Sequence, residues 1–149
     1  MPRNTAEIRV GRLLEIRAAA GYRTAADVDQ LFDALQREVH KLPSSERVVA
    51  AVDWRFCPLM SPEAAQRIGQ RIAANNDRTE RSAALADPNA ALPVLQFLRV
   101  VREAEHPERR VFFDPIELIH YLSERLSALE LTRLHSFLTE DPAKPAPST

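Results

Sequence analysis

The chain has 149 residues, 45% of them apolar and 28% charged, and its 20 Lys+Arg are matched by 21 Asp+Glu. That composition describes one ordinary globular domain, long enough to close a core without disulfides or a structural metal. A net charge of −1 with both signs interspersed supplies no field to draw nucleic acid, and the single cysteine, Cys57, excludes an internal disulfide and a Cys-rich zinc site. Neither a signal-type apolar region nor an apolar run long enough to span a bilayer occurs, so a cytoplasmic protein without a transmembrane segment is expected.

Over residues 7–20 the positions Ile8, Val10, Leu14, Ile16 and Ala18 alternate with the polar Glu7, Arg9, Glu15 and Arg17, a period of two that predicts a half-buried strand. Gly11 interrupts it, which fits one bent strand or two short ones. Thr24 is placed to cap a helix whose Val28, Leu31, Phe32, Leu35, Val39 and Leu42 form one stripe, ended by Pro43. The run RVVAAV at 47–52 is nearly all apolar, as expected of a central strand covered on both faces. Ser61-Pro62-Glu63 then opens a helix with a capping hydroxyl, a proline at the first turn and an acid near the positive end of the dipole. Its inward residues are Ala65, Ile68, Ile72 and Ala73, and Asn75-Asn76-Asp77 closes it.

Residues 79–86 predict a third strand, and residues 90–104 a helix of unusual composition. Leu92, Val94, Leu95, Phe97, Leu98, Val100 and Val101 wrap most of its circumference and leave Gln96, Arg99, Arg102 and Glu103 as a narrow polar strip. A helix on one sheet can bury about half of its surface, so this one is expected to meet a second partner. A strand at 110–113 precedes Asp114-Pro115-Ile116-Glu117, which opens a helix with Ile116, Ile119, Leu122 and Leu126 on one side. Ser127-Ala128-Leu129-Glu130 resembles a capping box for a last helix carrying Leu131, Leu134, Phe137 and Leu138. The order β-α-β-α-β-α-β-α-α predicts an α/β domain over 1–140, built on a mainly parallel, mixed sheet of four to five strands. The Pro-rich stretch 141–149 is expected to be a disordered tail.

Asp53, Asp87 and Asp114 all stand at strand exits, the edge where ligands of such sheets bind. Brought together, they would hold a hard cation or carry out phosphoryl transfer. Against this, Asp87 and Asp114 each precede a proline and a helix, which is the signature of a capping residue, and neither Lys41 nor Lys144 stands where a phosphoryl group would need it. Cys57 has no partner at a telling spacing and reads as a small hydrophobe. The four histidines lack metal-site spacing and the three glycines lie too far apart for a phosphate loop, so no cofactor is expected. Trp54 and Arg55, at the exit of the central strand, suit either a contact with a partner or packing under the following helix.

The junction from Gly21 to Thr24, RVVAAVDWR, MSPEAA, ERSAALAD and RVFFDPIELIHYL together resemble the SpoIIAA-like, STAS-type superfamily, including its STAS/SEC14-like branch, over about residues 7–126. The resemblance implies a non-catalytic module that binds a protein, joins a second copy of itself or, in some branches, takes a lipid. Relatives that antagonise anti-sigma factors carry a phosphorylated serine at the start of the helix after the central strand. Here Met60-Ser61-Pro62-Glu63 occupies that segment, which makes Ser61 the adjacent phosphosite candidate. The partner surface is expected on Leu92, Phe97, Val100 and Val101 with Trp54 and Arg55. A small lipid-binding module would need an enclosed apolar cavity of about 300 Å³ or more beneath the third helix.

Overall fold

In the computed structural model, which describes residues 3–140, the first alternating stretch is a hairpin of two strands, β1 (Asn4–Ile8) and β2 (Leu13–Ala18). Gly11 sits between them at φ +57°, in the left-handed region that a side chain rarely adopts, and Arg12 N–H in the same turn donates to Glu130 at 2.8 Å. Of the two options the period of two left open, the chain takes two strands. The remaining elements are α1 (Ala25–Val39), β3 (Val48–Asp53), α2 (Pro62–Ala74), β4 (Thr79–Leu85), α3 (Ala91–Glu103), β5 (Arg109–Phe112), α4 (Pro115–Ser123) and α5 (Ala128–Thr139).

The five strands lie in the order β1-β2-β3-β4-β5, with β1 antiparallel to β2 and every other pair parallel. The sheet is therefore mixed, and β3 is central and buried at every residue, as an apolar run without alternation requires. Helices α1, α2 and α3 cover one face, where Leu14, Ala18, Val48, Ala50, Val52 and Ala84 point. Helices α4 and α5 cover the other over Leu13, Val49, Ala51, Ala83 and Leu85. The stretch expected to be half-buried is thus closed on both faces. Its polar residues Glu15 and Arg17 face α5 and are buried with partners rather than solvated. The expected tail at 141–149 lies outside the described residues.

Helix starts follow the capping chemistry in most cases. Thr24 and Ser127 make reciprocal capping boxes with Asp27 and Glu130, Ser61 accepts from Ala64 N–H, and Asp114 accepts from Ile116 N–H. Asp87 is a correction. It accepts from Asn89 N–H at 2.9 Å in a turn, and α3 begins only at Ala91, without a side-chain cap. Pro93 in the first turn of α3 costs nothing there, since that N–H would have no partner in the helix. On α4 and just beyond it, Leu122 is buried and Ile119 and Leu126 pack partly against the same cluster, as expected of that side, whereas Ile116 is 74% exposed and the other fully buried residue is Leu118.

Candidate functional site

At the exit of β3 the Asp53 carboxylate is fully buried and meets two guanidinium groups. Arg17, its register partner on β2, donates from Nη1 to Oδ2 at 2.9 Å; Arg55 donates from Nε to Oδ1 at 2.9 Å and from Nη2 to Oδ2 at 3.0 Å. Both arginines continue to the end of α5, where Arg17 donates to the Phe137 carbonyl at 3.2 Å and Arg55 to the Leu138 carbonyl at 2.9 Å. Those carbonyls belong to the last turn of the helix, where they find no N–H donor within the helix and form its negative dipole end. The Arg17 guanidinium also lies 4.5 Å from the centre of the Phe137 ring. Arg133 extends the network, reaching both oxygens of buried Glu15 at 2.8 Å and Glu140 at 2.9 Å. The cluster is a charged clasp that fixes the last helix to the carboxyl edge of the sheet and holds the first residues of the β3–α2 loop.

This arrangement speaks against the acid-lined alternative. Asp53 has both oxygens taken by cations that would repel a metal ion, Asp87 is used in its turn, and Asp114 caps α4. Among the described residues no group of three or more His, Cys, Asp or Glu is placed to hold a metal ion. Ser61 is engaged in both directions: its hydroxyl accepts from Ala64 N–H at 3.1 Å and donates to the Arg23 carbonyl at 2.7 Å, tying the start of α2 to the segment before α1.

The apolar excess of α3 divides into two sides. Val94, Phe97 and Val100 are buried in the chain's own core, Val101 packs partly against it, and the Trp54 ring stacks on Phe97 with centroids 4.1 Å apart. Four of the residues expected to form the partner surface, Trp54, Phe97, Val100 and Val101, therefore face inward, because the exit of β3 turns the indole under α3. Arg55 is folded onto Asp53 and stays about a quarter exposed. The outward side is Leu92, 66% exposed, with Leu95 at 63% and Leu98 at 39%. Beside it the β3–α2 loop presents Phe56 and Leu59, each about half exposed. Loop and helix are stitched together, since Met60 N–H donates to Gln96 Oε1 at 2.8 Å and Gln96 Nε2 donates to the Met60 carbonyl at 2.9 Å. Gln96, read as part of a solvated polar strip, is the side chain that fixes this surface.

Cys57, a residue of the same loop, is buried, and burial pushes its thiol pKa up to about 12. The thiolate is the reactive form, so Ellman's reagent at pH 8 is expected to leave the folded chain unlabelled while it titrates one thiol per chain in denaturant. Rapid stoichiometric labelling of the native protein would contradict this placement.

The space beneath α1, α2 and α3 amounts to about 70 Å³, walled by residues such as Leu31, Phe32, Val52, Ile68 and Phe97. That is well below the volume a lipid needs, so the lipid-binding alternative lacks its chamber there. One cluster escaped the sequence reading. Arg12, Arg47 and Arg125 converge on Glu80 at 2.9, 3.7 and 3.8 Å, and the hydrogen bond from Arg12 leads in holding that carboxyl below its usual range. These residues come from distant parts of the chain, and no spacing signals their meeting. Among the described residues no helix is long and apolar enough to cross a membrane.

No family model and no curated protein matches the chain. Among solved structures it is similar to an uncharacterized DUF3478-family protein with a SpoIIAA-like fold from Shewanella loihica PV-4, at 17% identity and a TM-score of 0.60. The likeness covers 82% of this chain and 95% of that one. An identity of that size speaks to architecture and not to activity. Together with the five-stranded mixed sheet clad by helices on both faces, it shows that this chain has a SpoIIAA-like fold.

Proposed function

We propose that this chain is a non-catalytic protein-interaction module of STAS type, which joins a second copy of itself or a protein partner through the outward side of α3 and the adjoining β3–α2 loop. The observation that carries the reading is the set Leu92, Leu95, Leu98, Phe56 and Leu59, five large apolar side chains left at least 39% exposed on α3 and on the loop hydrogen-bonded to it through Gln96. Single exposed leucines need no explanation, but several large apolar side chains on two neighbouring segments are what the core of an interface uses. A high thiol pKa at Cys57 and the sealing of Asp53 by two arginines leave neither group poised for chemistry. In this reading Ser61 serves as the cap of α2 rather than as a switch, and a signalling role in the cytoplasm accords with the fold and with a lone, buried cysteine.

Sedimentation velocity tests the surface directly. The wild-type chain at high concentration is expected to sediment as a species heavier than its 16.8 kDa monomer, and Leu92→Asp with Leu95→Asp is expected to return it to the monomer. Both positions are exposed, so the unfolding free energy should stay within about 1 kcal/mol of wild type. A strictly monomeric wild type would remove the second copy as occupant. If wild type and double variant then captured the same host proteins, the surface assignment itself would fail.

A further inference from the structure

The two edges of the sheet are finished differently. At β1 the Ile8 N–H donates to Glu38 Oε1 at 2.9 Å, and the Asn4 side chain is tied to the Ala20 N–H and the Gly21 carbonyl. At β5 the ladder is fixed by Ser82 N–H donating to the Glu108 carbonyl at 3.1 Å and Ala86 N–H donating to the Phe112 carbonyl at 2.9 Å, with Val111 in register with Ala84. Alternate residues of a parallel strand serve one neighbour, so the even residues of β5 bond to β4 and the N–H and C=O of Val111 face outward. Among the described residues nothing bonds to them, because β5 ends the sheet and no loop or side chain reaches across. Unpaired ladder groups of this kind are a template for one more strand.

The side chains of β5 set two different surroundings on the two faces of that edge. Val111 packs on the α3 side and, with Leu98 and Val101, lines an open groove along the edge, where Arg102 and Glu105 stand together and offset each other's charge. Arg110 points to the α4 side, exposed, with its guanidinium 4.9 Å from the centre of the Tyr121 ring. It makes no ion pair among the described residues, since Glu108 and Glu124 are held by Arg81 at 3.1 and 2.8 Å. Arg109 is turned inward, donating to Asn76 at 3.1 Å and Thr79 at 3.3 Å, which anchors the start of the strand. An added strand would therefore lay one set of alternate side chains over an apolar groove and the other set beside an unpaired cation.

We propose that the free edge of β5 takes an extended peptide of a partner protein as a sixth strand, a segment whose side chains alternate between apolar and acidic. Val111 supplies the backbone bonds, Leu98 and Val101 receive the apolar side chains, and Arg110 selects the acids. A second copy of this chain fits the edge poorly. Two β5 strands paired antiparallel about Val111 would set their Arg110 side chains on one face at the diagonal spacing of about 7–8 Å, where like charges repel. The site goes beyond the contact surface on the outward side of α3 and shares only Leu98 with it.

The probe is a fluorescein-labelled peptide of about seven residues in which glutamate and valine alternate, titrated with the full chain and read by anisotropy. It is expected to bind saturably and about tenfold more tightly than the same peptide with lysine in place of glutamate, and Arg110→Glu is expected to reverse that preference. Methylating the amide nitrogens of every valine, or of every glutamate, places the methyl groups on opposite edges of the peptide strand. One of these two peptides should lose at least tenfold in affinity while the other binds like the parent, a readout that needs no variant of the protein. Leu92→Asp with Leu95→Asp should leave peptide binding unchanged, so the edge and the α3 surface stand or fall separately. The proposal is overturned by no saturable binding, by equal binding of the glutamate and lysine peptides, by equal losses in the two methylated peptides, or by loss of binding in the α3 double variant. A peptide that converts a dimeric wild type to monomer would show that a second copy holds the edge, and would overturn it as well.

Discussion

Asp53→Asn is expected to lower the unfolding free energy by about 3–5 kcal/mol, the cost of leaving a buried charge without its counter-ion. Arg17 is the group stranded, because its side chain is 8% exposed and its remaining acid, Glu140, stands at 3.3 Å and is more open to solvent. At about 2–4 °C per kcal/mol for a chain of this size, the midpoint should fall by about 10 °C. Urea unfolding followed by Trp54 fluorescence measures it. Adding Arg17→Met to Asp53→Asn should recover part of the loss, since an apolar replacement no longer leaves an unpaired guanidinium in the core. A single variant within about 1 kcal/mol of wild type would show that the clasp contributes little to holding α5. The effect reaches the proposed contact surface as well, because Asp53 fixes Arg55, and the next residue is the exposed Phe56.

Phe97→Ala is the second large effect, about 3–5 kcal/mol for a buried aromatic removed from a packed core. Phe97 is 3% exposed and stacked on Trp54, so the emission of the folded state should change together with stability. Its neighbour two residues earlier gives the contrast. Leu95 is 63% exposed, and a charged substitution there should leave folding intact while affecting association. Thermal unfolding of the two variants side by side separates the inward half of α3 from the outward half. Equal destabilisation would mean that the outward side is covered by the chain itself, and the interaction reading would lose its support.

Much of the architecture was legible in the residues. RVVAAV reads as a strand covered on both faces, and Thr24, Ser61, Asp114 and Ser127 announced helix starts that the structure bears out. Capping is local, decided within three or four residues, so a sequence displays it directly. Asp87 misled because Asp-Pro followed by an apolar run marks a turn as readily as a cap. The odd residues of β2 misled more instructively. Glu15 and Arg17 alternate with apolar neighbours as they would on a solvated face, yet α5 lies over them.

Local patterning along the chain sets the succession of elements, the buried centre of the sheet and the excess of apolar side chains on α3. Long-range packing sets which of those side chains stay outside, that Asp53 meets Arg17 and Arg55 instead of a cation, and that Arg12, Arg47 and Arg125 gather at Glu80. Periodicity and caps act between residues a turn apart, whereas the partner of a buried charge is set by which distant segment packs over it. For Arg17 that segment is α5, some 120 residues further along, and no spacing rule spans such a distance.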